Sequence, residues 1–201
     1  MCDGAFESDE EPAKVIETLA GSMAGRVFES GGQWVIHAGV WRTPELDLTE
    51  ADLLSGLNLS TRSERDLGNG AKGTFLSKDE NWSPVDFEPV SDDQALLEDA
   101  NRRGWIDQEF RFTTEEDIAR RLASINLKTL RSADNQISAE FTMRSMQLRP
   151  GDIVTFTYPR FGWISKTFEV QTWRWIPPQD NKGFKVAMTL AGINETDFDE
   201  I

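Results

Sequence analysis

Apolar positions along this 201-residue chain follow two periods, and the change from one to the other outlines its elements. Val15, Ile16, Leu19, Ala20 and Met23 recur at the three- and four-residue spacing of one helix face. Acidic residues and Pro12 stand just before them, and a proline in the first helical turn loses no hydrogen bond; Gly25 can end the helix. Alternation then takes over. RVFESGGQWVIHAGV reads as a hairpin in which Gly31-Gly32 supply the positive φ of a two-residue turn and Trp34, Ile36, Ala38 and Val40 share a face. His37 falls on the opposite parity and is predicted to be an exposed strand histidine. Thr49 with Asp52 three residues on frames a short helix, and LNLST and KGTFLS read as strands separated by the polar loop RSERDLGNGA.

From about residue 81 to 99 the prolines and polar residues of NWSPVDFEPVSDDQALLED make regular structure improbable before Ala95, and this stretch is taken as a linker or boundary. WIDQEFRF is a strand candidate. A helix over 113–131 follows, with Thr113 as cap, Glu116 at the reciprocal position and Ile118, Leu122 and Ile125 as its apolar stripe. Four strands come after it. Ile137, Ala139, Phe141 and Met143 share one face of the first, and Val154, Phe156 and Tyr158 one face of the second. Phe184, Val186, Met188 and Leu190 share one face of the fourth. KTFEVQTWRW breaks the rule, because Phe168 and Val170 take one parity and Trp173 and Trp175 the other. Either that strand is buried on both sides near its end, or a bulge between Val170 and Trp173 restores a common face.

Composition bounds these elements. Hydrophobic content of 38% fits a soluble globular chain, and the apolar runs fall short of the ~20 residues of a membrane span. A net charge of −14 repels phosphate backbones and anionic surfaces, so nucleic acid is not an expected partner. The single cysteine, Cys2, cannot form an internal disulfide. MCDGAFESDEEP lacks the basic region and apolar core of a signal peptide, so the N-x-[ST] matches at Asn58, Asn81 and Asn194 read as chance.

Candidate chemistry is sparse. With His37 the only histidine, no histidine-based metal cluster or triad finds its partners, and no G-x-S-x-G is present. DLGNGAKG lacks the G-K-[ST] ending of a phosphate cradle. Asp92-Asp93 and Glu115-Glu116-Asp117 resemble acid/base pairs, but such pairs arise by chance among 35 acids, and the second reads as a first helical turn. No catalytic, cofactor-binding or metal-binding residue is therefore expected. Exposed tryptophans on a sheet would suit a carbohydrate- or receptor-binding module, whereas alternation places Phe168, Trp173 and Trp175 in a core. Phe161 and Trp163 stand apart, in the turn P-R-F-G-W between strands, and are the candidate protein-contact residues.

The order of motifs carries more than any one of them. N-W-x-P-x-D-F (Asn81 to Phe87), the F-T-T start of the long helix and G-D-x-V…R-F-G-W-x-x-K-x-F-E-V occur in one collinear set. That set resembles the tail tip attachment proteins of long-tailed bacteriophages and prophages, the J-type host-specificity or baseplate hub proteins. The resemblance implies a fragment of a longer chain, located in the virion tail tip or in the bacterial cytoplasm during assembly. It implies trimerisation with other copies of itself, contacts with other phage tail proteins, and a structural role rather than catalysis. Asp197-Phe198-Asp199 departs from the tyrosine-tryptophan pair that family members often carry there. The expected architecture is α+β and mainly antiparallel, with an α+β hub part over 1–80 and a connection over 81–99. Residues 100–201 are expected to form a small β-barrel or sandwich with a packed helix.

Overall fold

The alternating strands after residue 135 become the middle of a six-stranded sheet. The computed structural model describes residues 2–63, 67–178 and 183–199; positions 64–66 of the RSERDLGNGA loop lie outside the described residues. In chain order the elements are α1 (Pro12–Gly21), β1 (Arg26–Ser30), β2 (Gln33–His37), β3 (Leu46–Thr49), β4 (Asn58–Thr61), β5 (Gly70–Ser77), β6 (Ser83–Asp86) and β7 (Val90–Ser91). Then come α2 (Asp93–Glu98), β8 (Trp105–Phe110), α3 (Glu116–Ser132), β9 (Asn135–Phe141), β10 (Ile153–Tyr158), β11 (Trp163–Ile176) and β12 (Lys185–Gly192). Short 3-10 turns lie at Glu50–Asp52, Met143–Gln147, Pro159–Phe161 and Glu195–Phe198.

The fold is α+β and mainly antiparallel, as its patterning predicts. The large sheet runs β3-β10-β11-β12-β9-β4; among the described residues β3 joins it in parallel and the other pairings are antiparallel. Among the described residues its edge strands β3 and β4 do not pair with each other, so the sheet is open rather than a closed barrel. Its core is the predicted one: Ile137, Phe141, Val154, Phe156, Phe168, Val170, Val186 and Leu190 are fully or almost fully buried together. Two expected members are missing. Met143 lies in the turn after β9, and Phe184 precedes β12; both are exposed.

The parity conflict in β11 is resolved by a bulge. Val170 pairs with Leu190 and Thr172 with Thr189, leaving Gln171 as the extra residue. Trp173 then pairs with Met188 and Trp175 with Val186, which returns both rings to the face of Phe168 and Val170. Phe168 is buried and Trp173 packs on the core's margin with its indole N–H on Ser145 O at 3.2 Å. Trp175, expected inside, is 44% exposed although Val186 opposite it is buried; its ring stacks on Phe184 instead.

A second sheet is built on β5, which pairs antiparallel with β6 and β7 and in parallel with β8. Where its prolines predict irregular structure, the 81–99 stretch supplies β6, β7 and α2; Pro84 is accommodated in β6, which among the described residues pairs only with β5. Helix α3 lies against β5 and its neighbours, joining Ala119, Leu122 and Ala123 to Ala71, Phe75, Phe87 and Phe110 in a second apolar cluster. Its cap position is Glu115 rather than Thr113, which is buried. Helix α1 starts on Pro12 as predicted but stops at Gly21. Glu10, just before it, is tied to Arg111 after β8 by two hydrogen bonds of 2.7 Å. That pairing holds the Glu10 carboxyl down at about 2. No helix among the described residues is long and apolar enough to cross a membrane.

Candidate functional site

The turn between β10 and β11 brings the two candidate residues together. Strand β10 ends at Tyr158, Pro159 starts a 3-10 turn whose fixed φ suits it, and Gly162 closes the turn at φ +69°. Trp163 then opens β11. The rings of Phe161 and Trp163 sit 5.1 Å apart, and their surroundings differ. Trp163 is half-buried, with its ring 5.4 Å from Phe168 and 6.2 Å from Phe156, both in the main core. Phe161 rests on Tyr158 at 5.3 Å and is 47% exposed. The turn is thus an aromatic wedge, rooted by Trp163 and capped by Phe161.

Cations hold the wedge from both sides. Lys166 stands over the Trp163 ring at 5.1 Å, and burial lowers its pKa. Arg160 lies 6.0 Å from the Tyr158 ring and 2.9 Å from Glu50. Ile164, the next residue of β11 after Trp163, has 82% of its surface exposed. Ile164 was not singled out by the sequence, where it falls between the turn P-R-F-G-W and the strand KTFEVQTWRW.

The β1–β2 hairpin forms as predicted, on Gly31 and Gly32 at φ +59° and +76°, but its faces are reversed. Trp34 and Ile36, on the expected buried face, are 52% and 53% exposed. His37 turns inward instead, edge-on to Phe28 at 6.0 Å and against Gly151. An ion-pair cluster on the outer face of β11 explains the inversion. Glu169, buried among the strands, is hydrogen-bonded by Arg26 of β1, and Gln171 of the bulge donates to it at 2.7 Å. Arg42 lies 3.8 Å from the same carboxylate and donates to Gly151 O at 2.5 Å. A buried carboxylate demands partners, and Arg26 shares its face of the hairpin with His37.

The acidic pairs take structural roles. Asp92 accepts the Ala95 N–H at 3.0 Å as the cap of α2, and Glu116 accepts the Glu88 N–H at 2.9 Å. Among the described residues no cluster of histidine, cysteine and acidic side chains could hold a metal ion. Trp175 and Phe184 form a further exposed pair, stacked at 5.3 Å with 15° between their planes.

A family model described as "Putative phage tail protein" matches residues 11–173. No curated protein matches the sequence. Among solved structures, the fold is similar to a chain in the virion of a native gene transfer agent particle, with a TM-score of 0.77 at 14% identity over 98% of this chain and 43% of that one. It is also similar to the tail protein from Neisseria meningitidis MC58, with a TM-score of 0.66 at 14% identity over 97% of this chain and 59% of that one. For the 43 kDa tail protein of prophage MuSo2 from Shewanella oneidensis the TM-score is 0.58 at 13% identity, over 98% of this chain and 56% of that one. The chain therefore spans between 43% and 59% of the length of these three structures.

Proposed function

We propose, from the premise that the chain belongs to the phage tail protein family, that it is a structural part of a tail-tip or baseplate hub in a bacteriophage or prophage. In this reading it is a portion of a longer protein of the J type, trimeric around the tail axis, in contact with other tail proteins and carrying distal host-attachment domains. The match over residues 11–173 carries the reading. The aromatic wedge supports it, because ring assembly needs different, complementary faces on each copy. Phe161, packed on Trp163, and Ile164 are exposed apolar groups at the β10–β11 end of the large sheet. The role is one of contact rather than turnover. Gold-labelled antibody against this chain should mark one end of the tail in purified particles; label along the tube or on the head would sink the hub assignment. Light scattering on the full-length protein should give a trimer, and a stable monomer would remove that part.

A second reading, a carbohydrate- or receptor-binding β module, is favoured by the exposed Trp175–Phe184 stack, whose flat faces would suit a sugar ring. Host glycans would then quench tryptophan fluorescence, and the quenching would vanish in Trp175→Ala. Glycans that leave the emission unchanged would discard it.

A further inference from the structure

We infer that the outer edge of β8 is a docking edge for an extended, basic segment of a partner protein, which would add to the β5 sheet as its next strand. The inference rests on the edge itself and not on the tail-tip reading.

Among the described residues β8 pairs with β5 alone, in parallel from Gly70 opposite Trp105 to Phe75 opposite Phe110. The direction of its backbone groups follows from two contacts. Gly104 O accepts the N–H groups of Asn69 and Gly70 at 3.0 Å, and Gly73 comes so close to Gln108 that a Cβ there would lie 1.7 Å from its carbonyl oxygen. Gly104 and Gln108 therefore aim their groups at β5. Successive residues of a strand turn their peptide groups to opposite sides, so Trp105, Asp107 and Glu109 aim theirs outward. A row of outward N–H and C=O groups is what strand addition uses.

There is room at the Glu109 end of that row. A cleft of about 510 Å³ lies between α1, β8 and α3, lined by Thr18, Gln108 and Leu130 among others. Through Thr18, Glu109 and Arg111 it meets a second cleft of about 610 Å³ at the start of α1. An added strand needs ~4.8 Å between backbones, and the two clefts together follow the strand's end.

Charge selects the occupant. Glu10 and Arg111 in the cleft walls neutralise one another, which leaves Glu11, Glu17 and Glu109 against Lys14. Asp107 is exposed on the strand itself, 3.4 Å from Lys72. In a chain of net charge −14 these acids discourage copies from zippering edge to edge. The same acids favour a strand bearing lysine or arginine at alternate positions.

The test uses the whole chain, isotope-labelled, and a short synthetic peptide alternating lysine and valine. Amide hydrogen exchange at Trp105, Asp107 and Glu109 should slow about tenfold at a peptide concentration ten times Kd. Exchange at Ile106 and Gln108, already paired to β5, should hold steady. Asp107→Pro removes one outward N–H, a change edge strands tolerate, and should abolish the protection; if that variant fails to fold, Asp107→Lys replaces it and should weaken binding by charge. No slowing at the three amides, or equal slowing by a peptide alternating glutamate and valine, would overturn the proposal.

Discussion

His37 lies directly against Gly151: a Cβ added to Gly151 would come within 2.4 Å of the imidazole Cδ2 and 2.6 Å of Nε2. Gly151 also sits at φ +91°, donates its N–H to Val170 O at 2.7 Å and receives Arg42 on its own carbonyl. One glycine thus joins β11 to the hairpin. Gly151→Ala is expected to cost about 2–3 kcal/mol, from an unfavourable φ together with displacement of the histidine. Urea unfolding measures the loss, and His37→Ala in the same chain should restore part of it. A wild-type midpoint in Gly151→Ala would mean the hairpin is not seated there.

The same contact makes stability depend on pH. Burial, and then the charge of Arg42, hold the His37 pKa below its usual 6.5, against smaller opposing effects from Asp152, Glu169 and the Pro150 backbone. The folded state therefore resists a proton that the unfolded chain accepts. That contribution is whole above pH 6.5 and shrinks as the pH falls from 6.5 toward the lowered folded value. Unfolding free energies taken across this interval should decline more steeply for the wild type than for His37→Gln. Equal slopes would show that the histidine is not shielded.

At the second sheet, Gly73 has no space for a side chain, since a Cβ would overlap the Gln108 carbonyl. Gly73→Ala should force β8 off β5 and open the second apolar cluster, costing at least about 3 kcal/mol by analogy with other large core disruptions. Amides of Ile106 and Gln108 should lose protection first. Retained protection would contradict the close approach.

Deleting Gln171 probes the bulge. Without the extra residue Thr172 follows Val170 directly, so the ladder becomes regular while Thr172 stays opposite Thr189, Trp173 opposite Met188 and Arg174 opposite Ala187. The two faces are kept and the hydrogen bond from Gln171 to Glu169 is what is lost, so the deletion and Gln171→Ala should each cost about 1 kcal/mol. A deletion that lowered the melting temperature far more than Gln171→Ala would show that β11 depends on the bend of its bulge.

The fold was legible wherever one short-range rule decided the outcome. Pro12 starts α1, Gly31-Gly32 turns the hairpin, and alternation marks the inward residues of β9, β10 and β12. Parity divides a strand into two faces without saying which is buried. For β2 that choice lies with Glu169, more than a hundred residues away, which draws Arg26 and therefore His37 inward. The parallel pairings of β3 with β10 and β5 with β8 are equally remote from any local signal. Pro84 suggested a loop, but a strand paired on one side tolerates a missing donor. At the candidate site the residues were legible and their division of labour was not, because it follows from a 3-10 turn closed by the positive φ of Gly162, which leaves Phe161 outside and Trp163 half-buried.

That division can be measured on the isolated chain. Trp163 touches Phe156 and Phe168, and truncating a half-buried tryptophan should cost about 2–3 kcal/mol, below the 3–5 kcal/mol of a fully buried one. Among the described residues Phe161 has Tyr158 and Trp163 as its ring neighbours, so Phe161→Ala should cost about 1 kcal/mol. Ile164→Ser, at a position almost wholly in solvent, should leave the melting temperature unchanged. Calorimetry separates the three. If Trp163→Ala left the melting temperature unaltered, the ring would belong to a contact rather than to the core. If it falls as expected, Phe161 and Ile164 remain as groups whose exposure brings the free chain no stability. A double change of these two to serine should then preserve the fold and impair assembly of the full-length protein, an outcome that core packing alone would not produce.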